Sequence, residues 1–431
     1  LLRLGRVTVR SRKYSGPEIM GVAVSGIPVT DQPRAAVHPY QMERIAALDS
    51  MRGIAAVIII IYHSITVYPQ IFQVLDGAGR NAFEGGGLTV FLLTTLPPSL
   101  LWSGREAVLF FFALSGFVLT LPFMTQRPPR YVSFLLQRFV RLLPPCVFTV
   151  LVIVALMSVL PAGTKNDTPM TVLDYCWFEA PDLWMVLKQA FLIGDFYSLN
   201  PVLWTLHYEW HASIVFPLLV LLTAAGTRLT LAVMLLGTAV AYAELRLTGR
   251  TGYAMTLYYL PYFALGSLLA RHRAEVRAWV ARLSDGQRIG LWVGCYILLK
   301  FRWLVPAPAV VDDLVNGAGA ALLIALVISS PAMQALLMRG PLPWLGKVSF
   351  SLYLVHLPVI LILVSHMPAE VPLPVTLLLA ATLSFALAAL MFRTVELPCI
   401  QLSRRIAKAV ARPASEADQQ PGEDRTLIQR A

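Results

Sequence analysis

The chain has 431 residues, of which 57% are hydrophobic and only 14% charged, and its mean hydropathy is +0.66. An ordinary soluble domain carries about a quarter charged residues, so this composition excludes one and indicates an integral membrane protein. The formal charge of +11 is spread between apolar runs rather than along one face, which speaks for the basic flanks of membrane spans and against nucleic-acid binding.

In chain order, residues 1–43 are basic and polar, lack the apolar core of a cleavable signal peptide, and are expected to form a cytoplasmic N-terminal segment. Residues 44–400 then carry a succession of apolar runs, each near the roughly 17–25 residues that span a bilayer. The predicted spans lie near 53–68, 105–124, 142–160, 203–224, 229–245, 253–270, 289–304, 309–330, 347–365 and 373–392. Pro217 and Pro358 fall inside two of them, which is tolerable where neighbouring helices or a cavity satisfy the freed backbone groups. The stretch 88–101 is short, contains Pro97 and Pro98, and reads as an interfacial or re-entrant segment. Residues 401–431 read as a basic, then disordered tail, rich in Pro, Glu, Asp and Gln from Ala411 onward. The expected fold is therefore an all-α integral membrane protein of about ten transmembrane helices.

Lys and Arg set the expected orientation. Loops near 125–141, 225–229, 271–288 and 331–347 hold twelve of them against eight in the opposite loops, and the two tails hold the other fifteen. With an even span count, both termini are expected in the cytoplasm. The longest outer loop, about 161–202, is instead acidic. Cys146, Cys176, Cys295 and Cys399 form no close pair, so buried thiols are expected rather than a disulfide framework or a zinc site. No internal repeat of the kind common in secondary transporters is visible.

The first span holds the most informative residues. Arg52 and His63 are eleven residues apart, which on an unbroken helix puts them on one face and about 16 Å apart along the axis. They cannot touch, but they can line one path. Ionisable groups at that depth are costly and are functional candidates; a neutral imidazole can take a proton from a hydroxyl. The competing structural reading makes Arg52 a basic flank and His63 an interhelical hydrogen-bonding group.

Further motifs follow in order. Phe110-Phe111-Phe112-Ala113-Leu114-Ser115-Gly116-Phe117 offers a Ser-Gly pair where another helix can approach, and Ser115 reads as a packing residue rather than a nucleophile. Arg138 and Arg141, in Arg138-Phe139-Val140-Arg141-Leu142-Leu143-Pro144, share a helical face; they suit either phosphate recognition or a basic flank. Leu203-Trp204-Thr205-Leu206-His207-Tyr208-Glu209 places a carboxylate in a span. His207 and His211 share a face but lack a third ligand, so no metal site is expected. Ser349, Tyr353 and His356 lie on one helical side, and Arg393-Thr394-Val395-Glu396-Leu397-Pro398 closes the last span.

This ordered set, from Leu48-Asp49 with Arg52 and His63 to Glu396-Leu397-Pro398, resembles the membrane-bound acyltransferase family 3, O-acyltransferases of surface polysaccharides and secondary metabolites. It departs from the commoner family pattern after Glu209, where Trp210-His211 stands. The resemblance implies a multi-pass protein of the bacterial cell membrane. Its expected reaction moves a short acyl group, foremost acetyl, from acyl-CoA to a hydroxyl of a glycan or glycosylated small molecule, without a bound cofactor. It implies His63 as base or acyl carrier, with Arg52 and Glu209 as further catalytic residues. Arg138 and Arg141 become donor-binding residues, and Tyr353 and His356 acceptor-binding ones, although His356 can equally serve to hold helices together. The competing class is a transporter or flippase that uses the same Arg, His and Glu as a substrate or proton path. A passive scaffold is a third.

Overall fold

The structure is a computed structural model that describes residues 39–75, 88, 93–125, 127–160, 171, 174, 176, 180–193, 197–249, 254–368 and 370–411. From Tyr40 onward they belong to one compact unit. Most of the expected N-terminal segment, the middle of the acidic loop and the tail beyond Ala411 lie outside the described residues.

Among the described residues there is no strand. The helices are α1 (Pro39–Ile65), α2 (Pro69–Leu75), α3 (Gly104–Thr120), α4 (Tyr131–Met157), α5 (Leu183–Ala190), α6 (Leu203–Ala225), α7 (Thr227–Thr248) and α8 (Met255–Ala281). They continue with α9 (Asp285–Leu299), α10 (Phe301–Leu304), α11 (Ala309–Ser329), α12 (Pro331–Leu337), α13 (Leu342–His366), α14 (Leu373–Met391) and α15 (Leu397–Ala411). A 3-10 turn, Pro97–Trp102, occupies the end of the segment expected to be interfacial.

Eight of the described helices are long and apolar enough to cross a membrane. The other two expected spans exist as helices. In α8 the apolar part gives way to Arg271, His272 and Arg273, and the helix is buried in the bundle around Tyr262 and Phe263. The buried residues of α8 lie almost all before Arg271, and the polar residues from Arg271 onward are half-buried or exposed. The expected span 289–304 is broken instead: α9 ends at Leu299, and α10 restarts at Phe301.

Other boundaries move for physical reasons. The expected loop 125–141 is helical from Tyr131, so Arg138 and Arg141 lie within α4, with Pro144 and Pro145 after them. Basic residues had suggested a loop, but Arg138 is buried with Glu209 as its counter-charge, which a span accepts, whereas Arg141 is exposed. At the far end the helix does not stop with the membrane segment. A π-helical turn at Phe392–Glu396 joins α14 to α15, which continues to Ala411 and packs against α4.

Small residues let helices approach where it matters. A Cβ on Gly116 would collide with the backbone of Phe263, and one on Gly266 with that of Ala113, so α3 and α8 touch backbone to backbone. Gly53 and Gly346 do the same for α1 and α13: a Cβ on Gly53 would sit 2.6 Å from the Gly346 nitrogen. Such contacts are the usual substitute for hydrophobic driving force between helices in lipid.

Candidate active site

Close packing of α1 on α13 sets the register of two histidines. His63 lies ten residues after Gly53, and His356 ten after Gly346, so the two helices run in the same direction and stay in contact for about 15 Å. Their rings stack with centroids 5.1 Å apart, and His63 Nδ1 lies 2.9 Å from His356 Nε2. His356 is fully buried, and its Nδ1 lies 3.1 Å from the Leu352 carbonyl. A carbonyl only accepts, so His356 Nδ1 carries the proton and its Nε2 is the acceptor. His63 Nδ1 must then donate, which leaves Nε2 of His63 as the unprotonated nitrogen. Sequence spacing alone did not reveal this partner, because the two rings are 293 positions apart.

One turn before His356, Tyr353 is held by Thr205 (2.8 Å to its Oγ1) and donates to the Val202 carbonyl (3.1 Å). Asn200 donates from Nδ2 to the Leu354 carbonyl, so the start of α6 pins α13 at this level.

Tyr353 lines a pocket of about 450 Å³, counting space continuous with solvent, whose wall also includes Arg52, Phe111, Ser115, Glu209 and Ser349. Here α1, α3, α6 and α13 converge. Glu209 accepts from Arg138 Nη2 at 2.6 Å and from the Ser115 hydroxyl at 3.3 Å, while Arg138 Nε donates to Ser213 at 3.1 Å. Arg52 reaches Asp49 only at 3.9 Å. Arg141 is exposed to solvent, yet lies within electrostatic range of Arg52, Arg138, Glu209 and Glu396. Three guanidinium groups thus gather around Glu209, and one of them, Arg138, forms an ion pair with it.

Arg52, Glu209, Arg138 and Arg141 are brought together. His63 and His356 form a separate centre, joined to the pocket through Tyr353, whose ring is 5.8 Å from that of His356. Because α1 is continuous through both residues, Arg52 and His63 keep the axial separation of about 16 Å expected from helical rise. Glu209 pairs with Arg138; the hydrogen-bond partner of His63 is His356. His207 and His211 place their Nδ1 atoms against Tyr197 and Leu192, and against Thr256, respectively.

One site residue escaped sequence reasoning. Glu396, on the π-helical turn, is buried and accepts from the Ser351 backbone N–H (3.2 Å) and hydroxyl (2.6 Å). It also lies within electrostatic range of Arg52 and Arg141. The signal was present, as a carboxylate closing an apolar helix, but its partner was not.

Against this geometry, the family model described as an acyltransferase domain, number 3 among the acyltransferase families, matches residues 45–393. The chain belongs to acyltransferase family 3. No curated protein and no solved structure matches it significantly. The acyltransferase is thus a membrane enzyme whose matched region holds the histidine pair and the guanidinium-lined pocket; the family gives no support to the transporter alternative.

Proposed function

We propose that this acyltransferase moves a short acyl group, foremost acetyl, from acyl-CoA to a hydroxyl of a glycan or glycosylated small molecule at a bacterial cell membrane. The observation that carries the reading is the hydrogen-bond direction in the histidine pair. His356 holds His63 in the tautomer whose Nε2 can take a proton, the same orienting logic that a second residue supplies in catalytic triads. His63 Nε2 removes the acceptor hydroxyl proton as its oxygen attacks the thioester carbonyl. The C–S bond breaks, and the coenzyme A thiolate leaves with the proton that His63 held.

The donor enters beside the guanidinium groups. Arg138 is committed to Glu209, so Arg141 and Arg52 are the cations that bind donor phosphates. Glu209 fixes Arg138 and Ser115 and thereby shapes this wall. Tyr353 and His356 stand between donor and acceptor, with His356 serving His63 rather than the acceptor.

Membranes bearing His63→Ala, assayed with radiolabelled acyl-CoA and a glycan acceptor, should lose transfer by about 10²–10⁴-fold, the usual contribution of a general base. Full activity in that variant overturns the mechanism. Arg52→Ala and Arg141→Ala should each weaken acyl-CoA binding by about tenfold, the worth of one charge-assisted contact.

A further inference from the structure

A second chamber, of about 370 Å³ counting space continuous with solvent, is lined by Tyr62, Trp102, Glu106, Lys300, Arg302 and Trp303, among others. Its place follows from the two helices that it shares with the first pocket. Along α1, the first pocket takes Arg52 and the second Tyr62, ten residues or about 15 Å later. Along α3 the order is reversed: Arg105 and Glu106 face the second chamber, Ser115 the first. The chambers therefore lie at opposite ends of the α1–α3 contact, with the histidine pair at the level of the second chamber, about 16 Å along α1 from Arg52. His63 adjoins Tyr62, ring to ring at 5.3 Å, and His356 adjoins Tyr353.

The cations of the second chamber are held differently. Arg105 is neutralised by Asp313, through Nε to Oδ1 at 2.6 Å and Nη2 to Oδ2 at 2.5 Å. Lys300 is only 1% exposed, and its ammonium donates to two neutral oxygens, the Ser99 carbonyl at 3.1 Å and the Ser103 hydroxyl at 2.5 Å. Among the described residues no carboxylate lies within ion-pair distance of it. An ammonium has three N–H donors, so one remains for a ligand. The carboxylate on the chamber wall is Glu106, which lies within electrostatic range of Lys300 but makes no ion-pair contact with it. Lys300 also interrupts what hydropathy suggests is one span, and a buried charge held at such a break is costly unless something pairs with it.

Aromatic walls with a few placed charges suit a ring that is apolar on its faces and polar at its edge. We propose that this chamber is the acceptor subsite, and that it selects a sugar ring bearing a carboxylate, which Lys300 binds. The assignment rests on the acyl-transfer reading above and adds the chemical class of the acceptor. Gly104 belongs to the same device: a Cβ there would lie 2.5 Å from the Tyr62 ring, so glycine leaves room for the aromatic wall beside His63.

Calorimetry of the purified full chain in lipid nanodiscs tests this, with methyl β-glucuronide and the neutral methyl β-glucoside as probes and acyl-CoA binding measured in parallel. The glucuronide should bind about tenfold more tightly than the glucoside, and Lys300→Met should abolish that difference. Glu106→Gln should tighten glucuronide binding by about threefold and leave the glucoside unchanged, an effect that a purely structural role would not produce. Acyl-CoA binding retained by both variants shows that they fold; if Lys300→Met loses it, Glu106→Gln decides alone. No glucuronide binding, equal binding of the two sugars, or a glucuronide affinity that Glu106→Gln leaves unchanged overturns the proposal. Charge-dependent glucuronide binding without acyl-CoA binding would instead count against the donor assignment and leave the chamber standing.

Discussion

At the scale of single residues, His356 and the Arg138–Glu209 pair act through their neighbours. His356 touches His63 and the Leu352 carbonyl, so its contribution is the tautomer and ring position of His63. His356→Ala should lower kcat by about 10–100-fold, the range for a supporting hydrogen-bond partner. Acyl-CoA binding should be unchanged, and His356→Asn should restore part of the rate, because its amide can accept the same hydrogen bond. Steady-state kinetics with separate kcat and KM checks this. For Arg138 and Glu209, removal of one partner leaves an uncompensated charge in the protein interior, which costs about 3–5 kcal/mol. Arg138→Leu and Glu209→Leu alone should each lower the thermal midpoint more than the double variant does. Additive losses in a melting cycle would show that the 2.6 Å contact carries no coupling.

Helices are what bring these residues into line. The Gly53–Gly346 contact sets α1 against α13, and ten residues further on the same register places His63 on His356. Gly346→Ala must push the helices apart, since its Cβ would lie 2.5 Å from the Asp49 backbone. A misplacement of about 1 Å can cost 10²-fold in rate, so this variant should lose most transfer activity while still inserting into membranes. Gly290→Ala, on α9, has open space around the new Cβ and should behave as wild type in the same assay. The α3 motif was legible in these terms: Ser115-Gly116 predicted a close helix approach, and Phe263 on α8 makes it. The break at Lys300 was not legible, because the oxygens that hold its ammonium come from the turn at Pro97–Trp102 and from Ser103 just after it, about two hundred residues away.

For the whole molecule, the arrangement of charge along the chain sets the expected topology. The end of α8, the start of α9 and the turn between them carry Arg271, Arg273, Arg277, Arg282 and Arg288, and this region is expected, with both termini, on the cytoplasmic side. Gly286 there is exposed with nothing near its Cα substituent. A Gly286→Cys variant in a Cys399→Ser background should react with a membrane-impermeant maleimide only after cells are permeabilised. Labelling of intact cells would invert the topology.

Sequence by itself determined the membrane class, the family and the positions of residues along each helix. Apolar run length and helical spacing are local properties, so Arg52 and His63 can be set about 16 Å apart on one face before any fold is known. Only the tertiary structure decided which groups meet. It gave His63 a histidine partner, gave Glu209 to Arg138, seated Glu396 on Ser351 and enclosed Lys300. It also buried the first part of α8, Met255 to Ala270, in the bundle. These pairings join residues up to 293 positions apart. They depend on which helix backbones can approach closely, and local sequence spacing carries no record of that.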